Sequence, residues 1–340
     1  MKHWTSADLA VLRRLRQRFL AADSSAGDYW TSASDLALYD ETFAERIGWK
    51  WDAVLRELTL RQWRPRSRHI VDFGCGSGIA SRRVLKAWPG QFETLTLHDR
   101  SAMAMAYASE RARSEDRSLK VQTMPTIESL PKDTLLVVSH VLNELPGDAL
   151  GRLVNLARQA GEVLWVEAGA HAESRRLIAE IRKTLLVDKT HHIVAPCTHS
   201  QPCGMLSAEN TRHWCHSFAP VPSEAFQSAW WAEFARELGI DLRALPYSFL
   251  AMERADEPPD ALPGFSRIIG RPREYKGYCK ILSCQADGVR DLTLQKRDDP
   301  GLFRAIQKEK APPTYRWITE GSKIKSGDSL SDSEEDEGAN

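Results

Sequence analysis

Two cysteines, Cys197 and Cys203, stand in "VAPCTHSQPCGM" with five residues between them, each directly after a proline and with His199 in the interval. Two thiols in so stiff a loop suit a disulfide, a metal site, a nucleophile with its base, or a pair of buried side chains. Cys215 follows after eleven intervening residues in "TRHWCHSF", flanked by His213 and His216. These spacings match neither a C-x2-C zinc ribbon nor the bacterial ferredoxin run. They also differ from the C-x3-C-x2-C triad of radical enzymes. Three thiols this close together point to a metal site, with zinc among the options because His199, His213 and His216 are further donors. Scattered buried cysteines and a Cys–His nucleophile stay open as alternatives. The prolines suit a ligand loop better than a nucleophile.

A second constellation lies earlier. "VDFGCGSG" carries Asp72, Gly74, Gly76 and Gly78 between an apolar run and a helical one. That context makes a glycine motif meaningful. The dinucleotide fingerprint needs a small residue at its last position, where this chain has Ile79. Asp99 ends the next apolar run, where an acid can accept hydrogen bonds from ribose hydroxyls. The combination resembles the first motif and second-strand acid of class I S-adenosylmethionine-dependent methyltransferases. Further on, "VVSHVLNELP" places Ser139, His140, Asn143 and Glu144 at the end of a long apolar run. His140 or Glu144 could serve as a base, or could only line a pocket. The segment is neither an Asn-Pro-Pro-Tyr amine site nor a Pro-Cys site for pyrimidine carbon, so no catalytic residue is assigned.

The elements that must position these residues follow from periodicity. Residues 1–65 read as helical, with "SADLAVLRRLRQRFLAA" apolar at helical spacing. Strands in "HIVDFG", "TLTLHD", "DTLLVVSHVL" and "EVLWVEAG" alternate with helices, which predicts a doubly wound parallel sheet over 66–189. The Cys/His-rich stretch and an amphipathic helix fill 190–246. Residues 247–300 read as strands with a hairpin, completing the core and the cysteine site, and 301–340 as a tail, disordered and acidic from about 322. The expected class is therefore α/β, a Rossmann-like methyltransferase fold with an N-terminal helical region, a metal-binding insertion and a C-terminal β-hairpin element.

Taken in order, "VDFGCGSG", "SHVLNEL", "VAPCTHSQPCGM" with "WCHSF", and "RPREYKGYCKILSCQADG" resemble one family. It is the methyltransferase-like small-ribosomal-subunit assembly factors, known from mitochondria and with bacterial members. The resemblance covers roughly 65–300. It implies four thiolates on a [4Fe–4S] cluster, which by position are Cys197, Cys203, Cys215 and Cys284. Thr198 and Gly204 replace two prolines of the family pattern, and Ser217 intrudes after His216. Cys279 lies at odd separation from Cys284 on one strand-like segment, so the two should face opposite ways. The resemblance also implies S-adenosylmethionine binding and the small ribosomal subunit with its rRNA as partner. An active rRNA methyltransferase, or a small-molecule methyltransferase with a zinc-stabilised insertion, are the alternatives.

Composition sets the outer limits. The chain's 340 residues, 42% hydrophobic and 27% charged, suit a globular protein with a core domain and one or two smaller units. No apolar run reaches the roughly 18 residues of a membrane span. The N-terminal segment lacks a secretory apolar region, so a cytoplasmic bacterial-type monomer is expected and disulfides are disfavoured. Residues 327–340 hold six acidic residues and no Lys or Arg, so the preceding chain has an excess of six basic residues despite a formal charge of zero. Arg and aromatic residues mix at 61–69, 267–277 and 314–318, which suits contact with structured RNA.

Overall fold

The computed structural model describes residues 3–21, 27–254, 262–308 and 313–330. It divides into two compact units. The first comprises Met1–Leu55, Pro65–Glu167 and Ala219–Tyr247; the second comprises Arg56–Arg64, Ala168–Phe218 and Ser248–Asn340. These boundaries differ from the expected ones. The amphipathic helix expected to close the insertion belongs to the first unit, and residues 56–64 belong to the second.

The first unit is built on five parallel strands: β1 (His69–Phe73), β2 (Thr94–His98), β3 (Lys120–Thr123), β4 (Thr134–Ser139) and β5 (Glu162–Ala168). Their order is β3-β2-β1-β4-β5. Parallel neighbours need crossover connections. The helices Ile79–Ala87, Ala102–Glu115 and Gly147–Gln159 provide them. Central strands covered on both faces should be continuously apolar, and Leu135, Leu136, Val137 and Val138 are fully buried. Strand β3 escaped the sequence reading because three of its four positions are exposed. The result is an α/β, Rossmann-like unit. In such a sheet the carboxyl ends of the strands beside the reversal of order form a crevice. Here those ends belong to β1 and β4. An aromatic cluster of Tyr29, Trp30, Leu15 and Leu36, joined by Phe19, Tyr39 and Phe43, packs the N-terminal helices of this unit.

The second unit holds a helix from His171 to Val187 whose middle turn, Leu177–Arg182, is π-helical. Strand β6 (His192–Ala195) and strand β7 (Ser217–Phe218) both pair with β8 (Pro246–Glu253), β6 in antiparallel fashion. Six further strands follow: β9 (Ser266–Ile268), β10 (Arg273–Tyr275), β11 (Tyr278–Gln285), β12 (Gly288–Gln295), β13 (Thr314–Glu320) and β14 (Lys323–Ser329). The order β11-β12-β14-β13-β9 closes on itself, because β9 also pairs with β11. The helix Pro300–Gln307, capped by the Asp299 side chain, lies between β12 and β13. Ile281, Leu292, Leu294, Phe303, Ile306 and Ile324 fill this barrel together with Cys279.

The barrel corrects the expectation of a tail over 301–340. Thr314–Glu320 and Lys323–Ser329 are strands, the second of them in the stretch expected to be disordered. "KIKSGDS" reads as polar and loop-like by itself. It is held as a strand by pairing with β13 and, in parallel, with β12. Residues 331–340, most of the acidic tail, lie outside the described residues. Among the described residues no helix is long and apolar enough to cross a membrane.

Candidate functional site

A cavity of about 710 Å³ opens at the carboxyl ends of the strands in the first unit, a size ordinary for a small-molecule site. Gly74, Gly76, Asp99, His140 and Glu144 line it. Gly76 adopts φ +51°, and a Cβ built there meets no protein atom within 4 Å. A ligand backed onto the loop would meet such a side chain first. The Gly76 N–H donates to Asp99 Oδ2 at 2.9 Å, and the Ser101 N–H donates to Asp99 Oδ1 at 2.9 Å. The acid thus braces the glycine loop while facing the cavity. Burial raises its pKa, against the hydrogen bonds that lower it.

Asp72 and Gly78 do not line the cavity. Asp72 is fully buried beneath the loop, where its Oδ2 accepts from the Ser81 N–H at 3.4 Å. Burial pushes its carboxyl up to about 6. Gly78 starts the helix Ile79–Ala87. Both residues support the loop from outside the cavity lining. Several wall residues were not visible in the sequence. Tyr29 and Tyr39 come from the N-terminal helical region, and Arg100 stacks over the Tyr29 ring at 4.6 Å.

His140 sits at φ +56° after β4, and both ring nitrogens are engaged. Lys50 Nζ lies 2.9 Å from Nε2, and Ser139 Oγ lies 3.2 Å from Nδ1. Burial, then the Lys50 charge, holds this imidazole well below its usual pKa. Burial and the nearby Arg46 bring Lys50 down to about 7, against a pull upward from Glu167. His140 thus reaches a substrate proton only by giving up one of these partners. Glu144 keeps its carboxylate in the wall, with a pKa raised by burial. Lys50 carried no signal in the sequence, being one lysine between two tryptophans of a helix.

A second site lies in the second unit. Cys197, Cys203, Cys215 and Cys284 line one small cavity of about 30 Å³ with Leu177, Ile178, Met205, Phe249 and Ile269. Cys279 points instead into the barrel core. The odd separation on β11 sends the two thiols to opposite faces. Burial, then neighbouring sulfurs, raises the Cys203 and Cys284 thiols and takes Cys215 to about 12. Among the described residues no three His, Cys, Asp or Glu side chains are grouped to hold a single metal ion.

Three buried arginines fasten the cysteine loop. Arg61 donates to the carbonyls of Val194, Pro196 and Cys197 at 2.9 to 3.3 Å. Arg182 donates to the carbonyls of His199 and Gln201 at 3.2 and 2.9 Å. Burial alone would lower its pKa, but the Cys197, Cys203 and Cys284 sulfurs raise it overall. Arg267 and Arg61 share the carboxylate of Glu57, and all three side chains are at most 6% exposed. Two arginines from segments expected to meet RNA are thus structural. Cys215 is placed through its carbonyl, which accepts from Ser174 Oγ at 2.6 Å and Ser248 Oγ at 2.7 Å. At Gly204 an added Cβ would come within 3.0 Å of the Gly288 Cα. The turn after β11 therefore packs closely on the cysteine loop at Gly204, and a side chain there would have to push it back by a few tenths of an ångström.

A doubly wound unit with a glycine-loop cavity, joined in one chain to a unit with four convergent thiols, defines a methyltransferase-like protein with an added sulfur-lined pocket. The family model for the mitochondrial small ribosomal subunit protein Rsm22 matches residues 44–311, and the chain belongs to that family. No curated protein matches the sequence. Among solved structures, the chain is similar to the Synechocystis PCC 6803 magnesium protoporphyrin IX methyltransferase, with 15% identity, 75% and 100% of the two chains covered and a TM-score of 0.39. It is similar to a SAM-dependent methyltransferase from Aquifex aeolicus, with 18% identity, 41% and 74% coverage and a TM-score of 0.32. For TrmK of M. capricolum, in complex with S-adenosyl-homocysteine, the values are 8%, 58% and 67%, and 0.33. The fold assignment rests on the strand order given above.

Proposed function

We propose that this protein is an S-adenosylmethionine-binding factor of the small ribosomal subunit that works by binding and positioning rRNA. The observation that carries the reading is the cavity walled by Gly74, Gly76 and Asp99 in a chain of this family. The loop backbone lets the methionine and ribose parts approach, and Asp99 offers its carboxylate to the ribose hydroxyls. Isothermal titration with S-adenosylmethionine, together with co-sedimentation with immature small subunits, tests it. Failure of both measurements would sink the reading.

The thiol pocket supports a [4Fe–4S] cluster held by Cys197, Cys203, Cys215 and Cys284. The fit lies in the donor set: four sulfurs facing one cavity, an apolar surround, and Arg182 beside them to offset buried negative charge. Zinc held by the same thiolates is the alternative occupant, and sulfide content separates the two. When bound, the cluster would supply a cross-link between distant chain segments, coupling folding of this unit to metal. Iron and acid-labile sulfide content after anaerobic purification measures it.

Active rRNA methylation is the second reading. It draws on Glu144, whose carboxyl in the cavity wall is raised by burial and could accept a substrate proton. Transfer of a labelled methyl group to immature small subunits, compared with a Glu144→Gln variant, decides between positioning and turnover.

A further inference from the structure

The closed barrel of β9 and β11–β14 has a defined connectivity. Its first strand pairs with the second and the fourth, its third and fifth are parallel, and a helix joins the third to the fourth. This is the topology of the oligonucleotide/oligosaccharide-binding barrel, in which the face of the second and third strands and the loop before the second strand take the ligand. Topology alone does not assign a ligand, so the side chains must.

Register decides which of them face outward. Arg273 pairs with Lys280 and then Thr293, and Tyr275 pairs with Tyr278 and then Gln295. The alternate rung, Glu274 with Cys279 and Leu294, turns Cys279 and Leu294 into the barrel core. The outer face therefore carries Arg273, Tyr275, Tyr278 and Lys280 together. The rings of Tyr275 and Tyr278 lie parallel, 7° apart in plane with centroids 4.8 Å apart. Tyr275 is 47% exposed and belongs to no core cluster of the barrel. Arg273 pairs with Asp291 at the edge of the face. The face and its turn carry Arg273, Lys276 and Lys280 against one acid, Asp291, while Glu274 lies on the other rung and accepts from Gln307 Nε2.

We propose that this face binds single-stranded RNA, with an unpaired base continuing the Tyr275–Tyr278 stack and the phosphates running past Arg273, Lys276 and Lys280. Aromatic platforms beside cations are what unpaired strands require, since each base offers a flat face and each phosphate a charge. The excess of cations selects a polyanion over a neutral oligosaccharide. The inference goes beyond the small-subunit reading and rests on it only in choosing RNA over DNA.

The test is fluorescence anisotropy of the full chain with a labelled oligouridylate of about 12 nucleotides. Tyr275→Ala should weaken binding roughly five- to 150-fold, while Tyr275→Phe stays near the wild type. Lys280→Gln should flatten the salt dependence by about 0.7 in log–log slope. Unchanged binding in Tyr275→Ala, or equal binding of a duplex of the same sequence, would overturn the proposal. A Tyr275-dependent preference for oligodeoxythymidylate would overturn the assignment to RNA. S-adenosylmethionine affinity measured on the same samples keeps this outcome separate from failure of the cavity reading.

Discussion

The two sites of this protein are assembled in opposite ways. The glycine-loop cavity takes its floor from one short segment, Gly74 to Gly78, and from residues just past the ends of neighbouring strands. Its floor is backbone, its walls include Tyr29, Tyr39, Arg100 and Glu144, and the fold puts it where the strand order reverses. The thiol pocket collects cysteines from three separated segments, and its loop is fastened by guanidinium groups from three further ones. A backbone site tolerates changes around it but not on it. A side-chain site depends on every distant contact that brings its members together.

That contrast predicts different failures. The largest effect falls on the thiol pocket: a Cys197→Ser, Cys203→Ser variant should drop from about four iron and four sulfide per chain to almost none, read by metal and sulfide analysis. Binding of S-adenosylmethionine to the same variant should persist. Joint loss would show that the sites are not independent.

Next comes Glu57→Gln, which leaves Arg61 and Arg267 buried without their shared carboxylate. Removing one partner from a buried ionic group costs about 3–5 kcal/mol, which urea denaturation should show. A loss under 1 kcal/mol would mean that the arginines find other partners.

Asp72 supplies a pH test of the glycine loop. Its folded-state pKa, about 6, exceeds the ordinary 3.8. Its contribution is therefore fully present below the unfolded value and is lost as pH rises through about 6. The difference corresponds to roughly 2–3 kcal/mol. Asp72→Asn should flatten the stability profile between about pH 4 and pH 6, measured as urea midpoints. An unaltered profile would remove Asp72 from the account.

The smallest effect is Gly76→Ala. Its methyl would enter the cavity at φ +51°, weakening S-adenosylmethionine about tenfold, or about 1.4 kcal/mol. Iron content should not change. Unaltered affinity by titration would place the ligand away from this loop.

Much of the first unit was legible because its signals are local. Apolar runs mark β1, β2, β4 and β5, the first and last of them closed by a glycine, and Gly74, Gly76 and Asp99 do line the cavity. Asp72 has the right spacing, but its side chain faces the core, and spacing does not report direction beneath a turn. His140 has the right type, yet Lys50 and Ser139 engage it. In the second unit, period-two alternation separated Cys279 from Cys284, since successive strand residues point to opposite faces.

By itself, then, the amino-acid sequence determined the Rossmann-like alternation, the glycine loop and its acid, and a cysteine loop stiffened by proline. Each is a property of neighbouring residues, set by backbone conformation and by the burial of one face. Only the tertiary structure decided that residues 314–329 close a barrel, that Arg61 and Arg267 are buried rather than turned to solvent, and that Cys284 joins the other three thiols. Pairings such as β12 with β14 or Glu57 with Arg267 bring together residues far apart along the chain. Their free energy comes from shared burial, which leaves no periodic trace in either segment alone.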